Sequence, residues 1–331
     1  MASCAALRVG RRPRLTSSES SRRRVSGPPR SDGWDRAIRR ARGRPHRPVR
    51  GRLPGRRPPT PGAGSPTAYH SWDHYRSRQR RGVALLPIRD INPTRARPVL
   101  TWGLIAACVI VYFAVQPAAG SNEEVEFLYR QAAIACELTT GSPLDRGEIL
   151  EQVCRDEPGR PVFPEKNVWL AVGVSMFLHG GILHLLFNMW SLWIFGNNVE
   201  EAFGPLFYLL LYAASGVAAT AGFVWANPQT TVPLVGASGA IAGIMGAYLV
   251  LFPRHLVLTL ILFRIVAIPA VFFLGLWFLS QFLLVGESNG IAWEAHVAGF
   301  LFGMLVTLPF RRRLLSNALA PEAPARAART T

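Results

Sequence analysis

Beyond Pro98 the chain is a series of long apolar runs separated by short polar breaks. No charged residue stands between Arg97 and Glu123, and Val99 to Val115 is almost wholly apolar, close to the length of one bilayer crossing. A second run, Asn167 to Asn198, is unusually polar for a span and contains His179, His184 and Asn188. The uncharged stretch from Ala202 to Pro253 is about twice what one crossing needs, so it must turn once. Asn227-Pro228-Gln229-Thr230-Thr231-Val232-Pro233 supplies that turn, because proline removes backbone donors and Asn-Pro initiates turns. The pattern predicts a third span over Leu206–Ala226 and a fourth over Ser238–Phe252. Leu256 to Phe263, closed by Arg264, is too brief to cross and is expected at the membrane interface. Ile265 to Val285 makes a fifth span, Gly286 to Gly290 a turn, and Ile291 to Phe310 a sixth that Arg311-Arg312-Arg313 stops. The expected class is an all-α membrane protein, a bundle of six transmembrane helices.

Charge divides the same chain differently. The formal net charge is +17, yet residues 1–98 hold 25 arginines, no lysine and five acids, so the rest of the chain is slightly acidic. Residues 1–85 are rich in Arg, Pro, Ser and Gly and cannot bury enough apolar surface to offset their ordering entropy, so a disordered basic tail is expected there. Such an arm suits the anionic cytoplasmic leaflet. Nucleic acid is not an expected partner: a nearly pure Arg/Pro/Ala/Gly bias also arises from nucleotide composition or from a start codon placed too far upstream, and this reading is preferred. With no methionine between Met1 and Met176, a later start needs a non-ATG codon near Val83. No apolar stretch follows the early arginines to make a secretory signal. The membrane domain is therefore expected over residues 86–314, with a second disordered tail over 315–331.

The arginines also orient the spans. With six crossings, the basic tail, Arg254 and Arg264, and Arg311 to Arg313 all fall on one side, which the positive-inside rule makes cytoplasmic. The insertion at 119–167, with ten acids against five basic residues, falls outside. It carries Cys136 and Cys154, whose pairing the sequence leaves open; Cys4 and Cys108 read as incidental.

Polar side chains inside hydrocarbon are costly and mark functional paths. In this topology spans two, four and six all begin at the outer face. Ser238 lies at the mouth of span four and His296 about one turn into span six, while His184 and Asn188, four residues apart, share one helix face of span two with His179 nearer its mouth. Gly239, Gly243 and Gly246 recur at helical spacing beside Ser238, as do Gly299 and Gly303 beside His296, so these two helices can approach closely. His296 is then placed to take the Ser238 proton, and Asn188, His184 and the Ser238 N–H are candidate donors to an oxyanion. Alternatively the serine caps or packs its helix, and the histidines are satisfied core groups. No Cys or carboxylate gives a zinc-ligand pattern near them, so neither metal nor cofactor is expected. Glu294 precedes His296 by two residues and points elsewhere, which favours a dyad over a triad. Glu200 and Glu201 read as caps or pairing groups rather than chemical ones.

These residues resemble the rhomboid family of intramembrane serine proteases. Gly236-Ala237-Ser238-Gly239 is similar to the family's nucleophile motif, Ala295-His296 with Gly299 and Gly303 to its histidine helix, and His179, His184 and Asn188 to its second-span motif. Glu200 and Gly204 fall in register, and the likeness covers about residues 87–312, beginning at Pro87-Ile88-Arg89-Asp90-Ile91-Asn92-Pro93-Thr94. The resemblance implies a rhomboid-type six-helix bundle in the cell membrane, both termini cytoplasmic, with a Ser238–His296 dyad in a cavity open to the outside. It implies cleavage of single-span membrane protein substrates through an acyl-enzyme. Many members carry an aromatic residue four after the serine, packed on the histidine, where this chain has Ala242. Either an aromatic from another helix compensates, or activity is altered. Two other readings compete: a silent relative that binds membrane proteins, which would be expected to lack the serine or histidine, and a solute transporter, which would more often show inverted repeats.

Overall fold

A helix rich in glycine and alanine can be crowded from all sides, and the architecture follows from that. The computed structural model describes residues 86–283 and 291–319. The expected basic tail 1–85, the turn 286–290 and the end of the C-terminal tail lie outside the described residues. In chain order the elements are β1 (Leu86–Asp90), α1 (Val99–Ile110, prolonged by a π turn Val111–Val115), α2 (Asn122–Gln131), β2 (Ala133–Ile134), α3 (Ala135–Thr140) and α4 (Arg146–Glu151). There follow α5 (Leu170–Ser175), α6 (Ile182–Phe203), α7 (Pro205–Ala226), β3 (Pro233–Leu234) and α8 (Ser238–Leu251). The last are β4 (Leu256–Ile261), β5 (Arg264–Pro269), α9 (Ala270–Phe282), α10 (Trp293–Thr307) and α11 (Arg311–Leu319).

Helix α8 is the centre, with every residue from Gly239 to Tyr248 buried. On α10 a β-carbon at Gly299 would overlap the Gly239 carbonyl, and one at Gly303 the Gly243 carbonyl. Helix α7 presses on another side, where Ala219 faces Gly239 and Ser215 faces Gly243. Aromatic packing of Phe195 on Tyr248, with ring centroids 5.1 Å apart, brings in α6, and Phe273 stacked on Phe195 brings in α9. Backbones this close are the geometry that small residues permit between membrane helices. The outward faces remain apolar: Leu206, Phe207 and Trp225 of α7 and Phe272, Leu276 and Leu279 of α9 are exposed, as in a helical membrane fold. Pro205–Ala226 and the continuous helical stretch Trp293–Ala318 are long and apolar enough to cross a bilayer, and Val99–Val115, Ser238–Leu251 and Ala270–Phe282 are shorter apolar helices.

Three expectations need correction. The second apolar run is not one helix from Asn167: α5 stops at Ser175, Gly180-Gly181 interrupts, and α6 starts at Ile182, so His179 sits in the connecting segment. The interfacial stretch is a β-hairpin, with β4 paired to β5 from Leu256↔Pro269 to Ile261↔Arg264, so α9 starts at Ala270 rather than Ile265. Strand β1 adds to β4, from Leu86↔Leu260 to Asp90↔Val257. At the C-terminus the chain remains helical through Leu319 instead of losing structure at 315.

Glu200 and Glu201 serve the fold. Glu200 accepts hydrogen bonds from the N–H groups of Leu100 (2.9 Å) and Thr101 (2.8 Å) and from the Thr101 hydroxyl (2.8 Å), capping α1, which has no capping side chain of its own. Glu201 accepts from Arg95 N–H at 3.0 Å. Nearby, Asp90 receives Tyr248 Oη–H (2.6 Å) and Asn198 Nδ2–H (2.7 Å), pinning β1 to α8 and α6.

Residues 119–167 fold into α2, β2, α3 and α4. Cys136 and Cys154 form a disulfide, Cα atoms 5.7 Å apart, which resolves the pairing the sequence left open. The chain's sole lysine, Lys166, is buried against Glu137 at 2.5 Å and donates to the Tyr129 carbonyl at 2.8 Å. Burial pushes the Glu137 carboxyl up and the Lys166 amine down from their ordinary values, and each partner opposes the other's shift.

Candidate active site

Ser238 is the first residue of α8, so its N–H has no acceptor within the helix and faces outward at the positive end of the helix dipole. Two residues earlier Gly236 adopts φ +124°, a conformation L side chains rarely take. A β-carbon there would also lie 2.8 Å from both Cε1 and Nε2 of His184 and 3.5 Å from Ser238 Oγ, so the imidazole and hydroxyl border one small volume that only glycine leaves open. The turn is tied in place by the Gly236 N–H, which donates to the Ser175 carbonyl at 3.0 Å.

His296 lies one turn into α10, and its Nε2 is 2.8 Å from Ser238 Oγ. That distance is possible because Gly239 and Gly299 allow the two backbones to touch just below it. His296 Nδ1 faces Gln281 Oε1 of α9 at 2.9 Å. The Trp277 ring, one turn before Gln281, lies 6.1 Å from the imidazole and tilted 37° to it. An aromatic from another helix thus stands beside His296, while Ala242 is fully buried in the α8 packing.

On α6, His184 and Asn188 share a face one turn apart. Asn188 is buried, and its Nδ2 has no hydrogen-bond partner among the described residues, an arrangement that calls for an explanation. No hydrogen bond joins Asn188 to Ser238 or His296 among the described residues. His179 packs edge-on to His184, centroids 5.3 Å apart. Its backbone is gripped by Gln116, which donates to the His179 carbonyl (3.0 Å) and accepts its N–H (2.9 Å). Glu294 accepts from Asn227 Nδ2 at 3.1 Å and takes no part in the site.

The 119–167 segment reaches the same turn. Strand β2 pairs with β3, Ala133↔Leu234 and Ile134↔Pro233, just ahead of Gly236. The Ala133 N–H donates to Ser175 Oγ at 2.6 Å, so Ser175 bonds β2 through its hydroxyl and the serine turn through its carbonyl.

Residues 166–313 match the family model described as the Rhomboid domain. Over this segment the chain is similar to the rhomboid family. The putative rhomboid protease YdcA of Bacillus subtilis is 41% identical over 91 residues, 27% of this chain and 45% of that protein. The rhomboid protease GluP of the same organism is 35% identical over 159 residues, 46% of this chain and 29% of its own length. Rhomboid protein 1, mitochondrial, of Saccharomyces cerevisiae is 32% identical over 142 residues, 40% and 39% of the two chains. The matched segments cover less than half of each of these relatives.

Within the matched segment the structure brings Ser238, His296, Gly236, Gly239, Gly299 and His184 together and sets His179 behind His184. Sequence reasoning passed over Gln281, Gln116 and Ser175. For Gln281 a signal existed, since an amide in an apolar run is costly unless it has a partner. The other two act through backbone groups, which sequence does not display.

Proposed function

We propose that the protein is an intramembrane serine endopeptidase. The observation that carries the reading is the 2.8 Å contact between Ser238 Oγ and His296 Nε2 across the glycine-lined α8–α10 interface. His296 Nε2 takes the hydroxyl proton as Ser238 Oγ attacks the scissile carbonyl carbon. The negative charge that develops on the carbonyl oxygen is met by the Ser238 N–H at the head of α8, by the buried Asn188 amide and by an N–H of His184. The imidazolium returns its proton to the leaving amine, and a water molecule then hydrolyses the Ser238 ester by the same steps in reverse. His179, with Gln116 holding its backbone, supports His184 from behind.

Six helices, α1 and α6 to α10, make the proposed bundle, with both termini cytoplasmic and the site opening outward. Two independent features favour this orientation: arginines gather at the opposite ends of the helices, and the acidic 119–167 segment carries a disulfide, a bond of oxidising compartments. The expected substrates are single-span membrane proteins entering from the bilayer of the cell membrane, and the basic tail suits anionic lipid of the inner leaflet.

Ser238→Ala and His296→Ala, each reconstituted in liposomes with a single-span substrate, are expected to abolish cleavage while keeping the thermal midpoint. Full cleavage by either variant would refute the dyad. A labelled fluorophosphonate is expected to modify Ser238 and to fail on His296→Ala.

A further inference from the structure

Gln281 is buried near the end of α9, and both ends of its amide are committed. Its Nε2 donates to the Trp277 carbonyl at 3.0 Å and to Ser280 Oγ at 3.2 Å, while the Ser280 hydroxyl spends its own proton on the same carbonyl at 2.6 Å. A carbonyl only accepts, so turning the amide over would set two acceptors face to face. The orientation is therefore dictated by the α9 backbone, and Oε1 is the atom that meets His296 Nδ1 at 2.9 Å. An amide oxygen also only accepts, so Nδ1 must carry the proton. A neutral imidazole has one N–H, which leaves Nε2 with a lone pair aimed at the Ser238 hydroxyl.

We propose that Gln281 is the positioning residue of this site, holding His296 in the one tautomer that lets Nε2 accept the Ser238 proton. The inference rests on the roles given above to Ser238 and His296. It explains why a costly amide stands in an otherwise apolar helix. A neutral oxygen performs the orienting task without placing a carboxylate in the helix bundle, where an unneutralised charge is expensive. When His296 gains the serine proton, the Gln281 bond becomes one to a charged donor and strengthens at the moment it is needed. Trp277, four residues earlier on the same face of α9, supplies both the carbonyl that fixes the amide and the ring beside the imidazole.

The test uses the full chain in liposomes. Gln281→Met keeps the volume and removes the acceptor, and it is expected to lower kcat about 10- to 100-fold, the effect of losing a hydrogen bond to a group that becomes charged, with KM unchanged. In its protonated, neutral form Gln281→Glu keeps a donor for the Trp277 carbonyl and an acceptor for Nδ1, and it is expected to recover most of that loss. Nitrogen-15 spectra of histidine-labelled protein, with the His296 signal assigned by its disappearance in His296→Ala, are expected to show a protonated Nδ1 and a bare Nε2, and a mixture of tautomers in Gln281→Met. An Nε2–H signal in the unsubstituted protein overturns the proposal without any variant or turnover, as does a wild-type kcat for Gln281→Met. Cleavage by Ser238→Ala would instead sink the underlying reading, while the tautomer measurement would still stand on its own.

Discussion

The contact between α8 and α10 allows a quantitative test at Gly299. A β-carbon there would run into the Gly239 carbonyl oxygen, which belongs to the residue directly after Ser238. Carbon and carbonyl oxygen rest about 3.3 Å apart, so Gly299→Ala must part the two helices by about 1 Å. Overpacking of this kind costs about 1–3 kcal/mol, read as a lower thermal midpoint in detergent. The larger effect falls on geometry. His296 is only three residues from Gly299, and the 2.8 Å bond to Ser238 has no slack to absorb an added ångström before it ceases to be a hydrogen bond. A misplacement of about 1 Å costs roughly 10²-fold in rate, so single-turnover cleavage in liposomes should fall by about that factor. Gly303→Ala makes the equivalent collision with the Gly243 carbonyl but a full turn farther from the imidazole. It should lose as much stability and only about tenfold or less in rate. Wild-type cleavage by Gly299→Ala, or equal rate losses for the two variants, would refute the claim that backbone contact sets the serine–histidine distance.

Two further predictions concern the opposite end of the bundle. Burial lifts the Asp90 carboxyl from 3.8 to about 6, against the hydrogen bonds from Tyr248 and Asn92 that pull it down. A raised carboxyl contributes stability that is complete below about pH 4 and lost as pH rises through about 6, so Asp90→Asn should match the wild type in thermal midpoint at pH 4 and exceed it at pH 7. Discounted for partial exposure, the difference is roughly 1–2 kcal/mol; a constant offset across that range would show that Asp90 does not titrate there. Glu200→Ala removes three hydrogen bonds at the start of α1 and is expected to cost about 2–4 kcal/mol in chemical unfolding, while the cleavage rate per folded molecule stays unchanged.

The glycine spacing of α8 and α10 was legible because close helix approach demands small residues, and Ser238 and His296 followed from it. Helix ends bounded by proline or glycine were also legible: Pro205 and Ala226 lie within one residue of the expected third span. The β4–β5 hairpin was not, since a short apolar run of Leu, Val and Ile reads equally as strand or interfacial segment, and its pairing with β1 lies far off in sequence. The start of α6 was displaced because Val168 to Leu178 is as apolar as a helix, and only Gly180-Gly181 marks the break. Gln281 escaped notice because its meaning depends on which residue of another helix faces it, and Ala242 drew attention to a missing aromatic that Trp277 supplies from α9.

Strand β1 has a consequence for biosynthesis. Leu86 pairs with Leu260, so the segment that precedes the first membrane helix finds its partner only after that helix, three more long helices and the hairpin strand have been made. At roughly 5–20 residues per second that interval lasts about ten to thirty seconds, during which Leu86 to Asp90 has neither its sheet nor the Tyr248 hydroxyl to hold it. The end of the molecule opposite Ser238 is therefore closed late in synthesis, by a contact of very long sequence separation.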